Sequence, residues 1–117
     1  MQSNDLSKRL LQFSVRTIKY IRTLPKGQEY QVISYQLIKS STSVGANYEE
    51  AQAGSSKADF HNKVKISLKE IMETRYWFKI LNEIITSKQN VELDFLLNES
   101  EELSKILGSI ANKTKKR

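Results

Sequence analysis

Residues 40–77 of this chain read S-S-T-S-V-G-A-N-Y-E-E-A-Q-A-G-S-S-K-A-D-F-H-N-K-V-K-I-S-L-K-E-I-M-E-T-R-Y-W. The pattern predicts the second half of one helix, a tight break at Gly54, and most of another helix. Gly54 suits the left-handed conformation that ends many helices, because glycine has no Cβ to clash there. Ser56 and Asp59 have the spacing of a capping box, in which each side chain meets a backbone amide at the start of the next helix. The stretch therefore predicts a helical hairpin.

The composition of the whole chain favours helices. The 117 residues include a single proline and four glycines, and they are the length of one domain, residues 1–117. The lack of cysteine excludes disulfides and thiolate chemistry, and it suits a reducing cytosol. No apolar run approaches the roughly 20 residues that span a bilayer, and no signal peptide is evident. We therefore expect a cytoplasmic protein that does not enter a membrane.

Apolar residues recur at steps of three and four along most of the chain. The sequence Pro25-Lys26-Gly27 breaks this periodicity, and Asn90 is placed to cap a helix. Four amphipathic helices with short connections predict an all-α, up-down-up-down antiparallel four-helix bundle. Their expected bounds are about 4–24, 28–53, 57–87 and 91–112, before a basic tail at 113–117.

The third predicted helix has two apolar faces. One is a core stripe that includes Val64, Ile71 and Phe78. Two faces require two sets of neighbours, so the second is either a subunit interface or a contact with another helix of the same chain. The candidate interface residues on that second face are Ile66, Trp77, Ile80 and Ile84. Tyr76 and Trp77 could also stack on nucleic-acid bases, although packing is the commoner role of such residues.

A polar stripe lies beside the apolar seam of the second predicted helix. It is either a solvated edge or a buried hydrogen-bond network, in which every polar group needs a partner. Its members are Gln36, Ser40, Ser43, Asn47 and Glu50. We expect Glu70 or Glu73 to accept a hydrogen bond across the hairpin from Ser43, Asn47 or a lysine.

The formal net charge of +6 is concentrated near the start of the chain, where residues 1–27 hold six basic side chains against Asp5. Such a surface attracts RNA or DNA, although it can also serve solubility alone. A basic, solvent-facing stripe on the first helix is expected to make most phosphate contacts, and the C-terminal tail is expected to assist. The residues are Arg9, Arg16, Lys19, Arg22, Lys113, Lys115, Lys116 and Arg117.

The sequence offers little for catalysis or metal binding. His61 is the only histidine, so a cluster of histidine metal ligands cannot form within one chain. Glu70 and Glu73 lie three apart on one helix face and could do acid–base work, but no nucleophile accompanies them. We expect no catalytic residue, no cofactor and no metal. An enzyme that uses carboxylates at the hairpin remains a minor alternative.

At this hairpin the sequence resembles the 23S rRNA intervening-sequence protein family, which includes accessory proteins of diversity-generating retroelements. The resemblance rests on a lysine at Lys39, a small-residue turn of helix, and the aromatic pair Tyr76-Trp77. Glu49 departs from it, because many members carry a basic residue there. The matching segments are Q-L-I-K-S-S-T-S-V-G-A-N-Y-E-E-A (Gln36–Ala51), S-K-A-D-F-H-N-K-V-K-I-S-L-K-E (Ser56–Glu70) and E-T-R-Y-W (Glu73–Trp77).

The resemblance implies a bacterial, cytosolic four-helix bundle that assembles as a homopentameric barrel. In the retroelement branch such barrels bind nucleic acid and contact a reverse transcriptase. We therefore expect a non-enzymatic oligomeric binding protein that takes RNA or DNA on a basic surface. The alternative is a scaffold for a protein partner, such as a reverse transcriptase, with no nucleic-acid binding of its own.

Overall fold

The structure is a computed structural model that describes residues 3–54, 56–85 and 90–115. These residues form four helices, and no strand occurs among them. The helices are α1 (Ser3–Ile21), α2 (Gln28–Gln52), α3 (Lys57–Ile84) and α4 (Val91–Thr114). Each packs against the next, and α1 also contacts α4, which closes the bundle. The predicted all-α four-helix bundle is therefore confirmed.

Hydrogen bonds between α2 and α3 show that they run in opposite directions. Ser67 of α3 bonds to the carbonyl of Val44, and Thr74, further along α3, bonds to the earlier Ser40. The bundle measures 47 × 23 × 23 Å. Its long dimension matches the longest helix, because 28 residues at 1.5 Å each extend about 42 Å.

Helices α1 and α3 each end about three residues before the predicted position. α1 ends at Ile21 rather than near Leu24, because the amides of Thr23 and Leu24 bond to carbonyls three residues back and tighten the chain ahead of Pro25. α3 ends at Ile84, and Ile85 has an extended backbone with ψ 128°. The predicted end of α3 at residue 87 lies outside the described residues.

The prediction of a left-handed Gly54 is wrong. α2 closes on Ala53 in a right-handed conformation (φ −88°, ψ −1°), and the N–H of Gly54 donates to the carbonyl of Ala51 at 3.1 Å. The described residue with positive φ is Gly27, which precedes α2 at φ 151°. Glycine at position 54 instead allows a close approach between the chain and its neighbours. An added Cβ would lie 3.2 Å from the Ala51 oxygen and 3.4 Å from the Asp59 Cβ.

The predicted N-caps are confirmed. The Ser56 hydroxyl accepts from the Asp59 amide at 3.0 Å at the start of α3. The Asn90 side-chain oxygen accepts from the Leu93 amide at 3.0 Å at the start of α4. Each cap satisfies an amide that has no partner within its own helix.

The core joins aromatic and aliphatic side chains from all four helices. The Phe13 and Phe78 rings meet edge to face with centroids 6.2 Å apart, and Tyr20 lies against the same Phe78 ring. Edge-to-face pairs are a favoured aromatic geometry. α1 and α3 are thereby linked through the centre of the bundle, although they are not neighbours around its outside.

The polar stripe of α2 is part buried network and part solvated edge. Ser40 is buried and bonds to the Thr74 hydroxyl at 2.8 Å. Asn47 donates to the Ser43 carbonyl of its own helix at 2.9 Å, and exposed Glu50 pairs with Lys63 at 2.7 Å. The stripe therefore joins α2 to α3 at Ser40 and at Glu50.

Candidate nucleic-acid interface

Arg9 and Arg16, two of the predicted phosphate contacts, face α4. The guanidinium of Arg9 donates from Nε to one Glu99 oxygen at 2.6 Å and from Nη2 to the other at 2.8 Å. Arg16 makes the same two-bond arrangement with Glu92, at 2.9 and 2.7 Å. Paired bonds of this kind are among the stronger polar interactions in proteins. These two arginines are therefore partly exposed and already paired with glutamates of α4, and their role as phosphate contacts stays a prediction.

The register of the two ion pairs explains their position. Arg9 and Arg16 are seven residues apart on α1, and Glu92 and Glu99 are seven apart on α4. Seven residues are two helical turns, so each pair of side chains lies on one face of its helix. Because the helices run antiparallel, the earlier arginine meets the later glutamate. The hydrogen bonds from Arg16 lower the pKa of Glu92, and the partial burial of its carboxylate opposes them.

A groove remains along this α1–α4 seam. It holds about 370 Å³, and Arg16 lies inside it with its Cζ 3.6 Å from the centroid of the Phe95 ring. A guanidinium over an aromatic face is a favourable cation–π contact. The groove is lined by Lys8, Arg9, Gln12, Phe13, Arg16, Phe95 and Glu99.

The other predicted cations are exposed but do not form one patch. Lys19 and Arg22 lie at the end of α1, beside the start of α4. Lys113 and Lys115 lie at the end of α4, toward the opposite end of the bundle because the two helices are antiparallel. Within the described part of the chain these four side chains make no ion pair. Lys116 and Arg117 lie outside the described residues.

A second concavity, which we call the bundle-end cleft, lies between the start of α3 and the end of α4. It holds about 980 Å³. The His61 ring nitrogen Nδ1 lies 2.8 Å from the Thr114 hydroxyl and so joins the two helices beside the cleft. The lining residues are Gly54, Ser56, Lys57, Ala58, Phe60, His61, Asn62, Lys113, Thr114 and Lys115.

Sequence reasoning missed Lys57, His61 and Asn62 as members of a basic site. Residues 61 and 114 are 53 positions apart, and no spacing rule joins the beginning of one helix to the end of the next helix. Only the antiparallel packing of α3 on α4 brings them together. The lysine-rich tail, which the sequence does show, forms only one of the two walls of the cleft.

The candidate interface residues on α3 are unevenly covered. Ile66 and Ile84 are 39% and 38% exposed, whereas Trp77 and Ile80 pack partly against the core. The Trp77 indole donates to the Glu73 carboxylate at 3.0 Å, and the Tyr76 ring meets the indole edge to face with centroids 5.4 Å apart. This face is therefore apolar and only half covered by its own chain.

The carboxylates of the hairpin differ from the predicted arrangement. Glu73 accepts from Trp77 of its own helix rather than from Ser43 or Asn47 across the hairpin. Burial raises the pKa of Glu70, the nearby Glu73 raises it further, and Lys39 across the hairpin lowers it. Neither the α1–α4 groove nor the bundle-end cleft includes Glu50 or Glu70, so neither provides the pocket that the enzyme alternative requires.

The described residues provide neither a metal-ligand cluster nor a membrane-spanning helix. No group of three or more histidine, aspartate or glutamate side chains there could hold a metal ion. Nor is any helix in that part of the molecule long and apolar enough to cross a membrane.

Comparison with known proteins identifies the family. A solved structure is similar over 96% of this chain and 99% of its own, with a TM-score of 0.82 and 38% sequence identity. It is a protein with unknown function from the S23 ribosomal protein family of Bacteroides thetaiotaomicron VPI-5482. No curated protein matches the sequence. Residues 2–109 match the family described as 23S rRNA-intervening sequence protein, and the chain belongs to that family.

Proposed function

We propose that this protein is a non-enzymatic, cytoplasmic accessory protein that assembles with copies of itself and binds RNA or DNA through a basic surface. The observation that carries the proposal is the set of exposed cations without an ion pair in the described part of the chain. Lys19, Arg22, Lys113 and Lys115 are its members among the predicted contacts. The net charge of +6 acts in the same direction.

Phosphate contacts by lysine and arginine give attraction with little reading of base sequence. Each contact releases condensed counterions, so the logarithm of the binding constant falls linearly with the logarithm of salt concentration. Four contacts correspond to a slope of about −3. Arg9 and Arg16 contribute less than the sequence indicates, because a phosphate would have to displace Glu99 or Glu92 first.

The test is a titration of fluorescently labelled single-stranded and duplex RNA and DNA, followed by anisotropy between about 50 and 200 mM salt. The proposal predicts binding that weakens steeply over this range and differs little between base sequences. Absence of binding at the lowest salt concentration would reject it. Binding that is insensitive to salt would also contradict it.

We propose that the assembly is a homo-oligomer, a pentamer as the family resemblance implies, and that it uses the face with Ile66, Trp77 and Ile84. That face is apolar, and its own chain covers only half of it. Trp77→Ala should lower the mass in solution toward that of the 13.5 kDa chain. Met72→Ala, at an exposed apolar residue elsewhere on α3, is the matched control and should leave the mass unchanged. Light scattering coupled to size exclusion measures both, and an unchanged mass in the Trp77 variant would contradict the assignment.

A second candidate is a scaffold for a protein partner, such as a reverse transcriptase. The same half-covered face favours it, because exposed Tyr76 extends the apolar surface beside Trp77. Capture experiments from nuclease-treated lysate separate the candidates. A partner that binds through RNA or DNA is lost after nuclease treatment, whereas a direct protein partner remains.

A further inference from the structure

The bundle-end cleft has the composition of an anion site. Lys57 at the start of α3 and Lys113 and Lys115 at the end of α4 all line it, and all three are exposed. No aspartate or glutamate is among the lining residues. Asp59 lies in the same first turn of α3 but does not line the cleft. The cleft therefore concentrates positive charge that its own walls do not neutralise.

The arginines of α1 provide the contrast. Arg9 and Arg16 meet Glu99 and Glu92 at hydrogen-bonding distance, so their charge is already balanced. None of the three cleft lysines has an ion pair within the described ranges. A polyanion that docks in the cleft gains attraction without first breaking an existing pair.

His61 and Thr114 hold the two walls of the cleft together. The Thr114 hydroxyl lies 2.8 Å from the His61 Nδ1 and 2.9 Å from the Ile110 carbonyl. The tautomer of the His61 ring determines which group donates in the bond that joins α3 to α4. This bond fixes the backbone at the neighbouring Lys113 and Lys115 relative to α3. The two lysines therefore extend from a wall of the cleft whose position is set by the fold.

The cleft is larger than a phosphate ion requires. Its volume of about 980 Å³ lies near the upper end of the range for small-molecule pockets. Phe60 and His61 line it and offer aromatic surface of the kind on which bases stack, and Asn62 adds an amide donor. Positive charge beside aromatic surface suits a nucleotide unit of a single strand.

We propose that the bundle-end cleft binds a single-stranded segment of nucleic acid, with Lys57, Lys113 and Lys115 on its phosphates and Phe60 beside a base. The assignment rests on the proposed function and adds a place and a strand type to it. It moves the main contact region from the stripe on α1 to the end of the bundle.

The test compares two triple variants that lose the same charge. The cleft variant is Lys57→Gln/Lys113→Gln/Lys115→Gln, and the control is Lys65→Gln/Lys69→Gln/Lys79→Gln, three exposed lysines of α3 that do not line the cleft. The probes are fluorescein-labelled single strands of RNA and DNA and the corresponding duplexes. We expect the cleft variant to bind single strands at least ~10-fold more weakly and its salt slope to be reduced by about 2, as three lost contacts imply. The control should change affinity by less than ~3-fold, the effect of diffuse charge alone.

His61 supplies a second readout, because it is the only histidine and its ring proton NMR signals need no assignment by mutation. These signals should shift during titration with the single strand. Circular dichroism and solution mass verify that each variant keeps its fold and assembly.

The outcomes separate the two proposals. Equal weakening in both variants, or His61 signals that stay fixed while the strand binds, would overturn the cleft assignment and leave the proposed function standing. Duplex binding as tight as single-strand binding would also overturn it. A wild-type protein that binds none of the probes at low salt would instead reject the proposed function.

Discussion

Arg9 donates two hydrogen bonds to Glu99, a residue 90 positions later in the chain. The side chain of Glu99 is 12% exposed and that of Arg9 is 30% exposed. The Glu99 carboxylate therefore has less access to water that could replace its bonds to Arg9. A charge that loses its partner while largely removed from water is costly. Together with Arg16 and Glu92, this pair determines how α1 meets α4.

Arg9→Gln should therefore lower the free energy of unfolding by about 1.5–3 kcal/mol, the range for hydrogen bonds to charged groups. Lys105→Gln is the control, because Lys105 is 69% exposed and lies 3.9 Å from Glu101. An exposed pair of this kind contributes less than ~0.5 kcal/mol. Urea denaturation followed by circular dichroism measures both. Equal midpoints for the two variants would show that the Arg9 pair adds no more than a surface contact.

The pair between Arg16 and Glu92 should make stability depend on pH. Its hydrogen bonds lower the pKa of folded Glu92 below the ordinary value of 4.5. The stabilisation is therefore present above that value and is lost as the pH falls through the folded pKa. The difference in unfolding free energy between the wild type and Arg16→Gln should shrink as the pH is lowered from 7 to about 3. A difference that is constant over this range would contradict the ion-pair interpretation.

Glu70 should show the opposite sign. Burial raises its pKa in the folded state, so the ionised side chain opposes folding at neutral pH, and this cost vanishes below the unfolded pKa. Glu70→Gln should stabilise the protein at pH 7 and have little effect near pH 3. Exposed Glu83 on the same helix is the control, and Glu83→Gln should change stability little at either pH. Loss of stability at pH 7 in the Glu70 variant would show that its charge has a favourable partner.

The buried hydroxyls of Ser40 and Thr74 should behave as a coupled pair. Thr74→Val keeps the side-chain shape but removes the partner of buried Ser40, which should cost about 1–3 kcal/mol. The double variant Ser40→Ala/Thr74→Val leaves no hydroxyl to satisfy and should recover part of that loss. A double-mutant cycle from denaturation curves gives the coupling free energy. Strict additivity would show that the hydroxyls do not interact.

Two glycines should respond to alanine in opposite directions. At Gly108, inside α4, an added Cβ meets nothing within 4 Å, so Gly108→Ala should stabilise the protein by about 0.5–1 kcal/mol. At Gly27, φ is 151°, a value that alanine rarely adopts. Gly27→Ala should therefore destabilise the protein by about 1–3 kcal/mol. Thermal denaturation measures both, and a shift of the same sign in the two variants would contradict the backbone assignment at Gly27.

The helices and the core were predictable because burial follows the periodicity of apolar residues. Val64, Ile71 and Phe78 lie on the predicted core stripe and are fully buried. The roles of Arg9 and Arg16 were not predictable, because helical periodicity shows which side of a helix is polar but not which helix faces that side. The conformation predicted for Gly54 was wrong for a related reason. Glycine serves both a left-handed backbone and a close approach, and the sequence looks the same in either case.

The bundle-end cleft likewise has one part that the sequence predicts and one part that it does not. The basic tail at Lys113 and Lys115 is visible as a run of charge, and the structure places those lysines on a cleft wall. The opposite wall, with Lys57 and Asn62, belongs to another helix, and nothing in its sequence pattern links it to the basic tail. Only the antiparallel docking of α3 on α4 unites them.

The α1–α4 seam gives this bundle one edge that is closed by charge, while α2–α3 and α3–α4 are joined along most of their length. Salt and acid weaken ionic contacts far more than apolar ones. We therefore expect detachment of α1 from α4 to be the opening that first admits solvent to the Phe13 and Phe78 rings. Amide hydrogen exchange that is fastest along the α4-facing turns of α1, and faster still at high ionic strength, would be its signature.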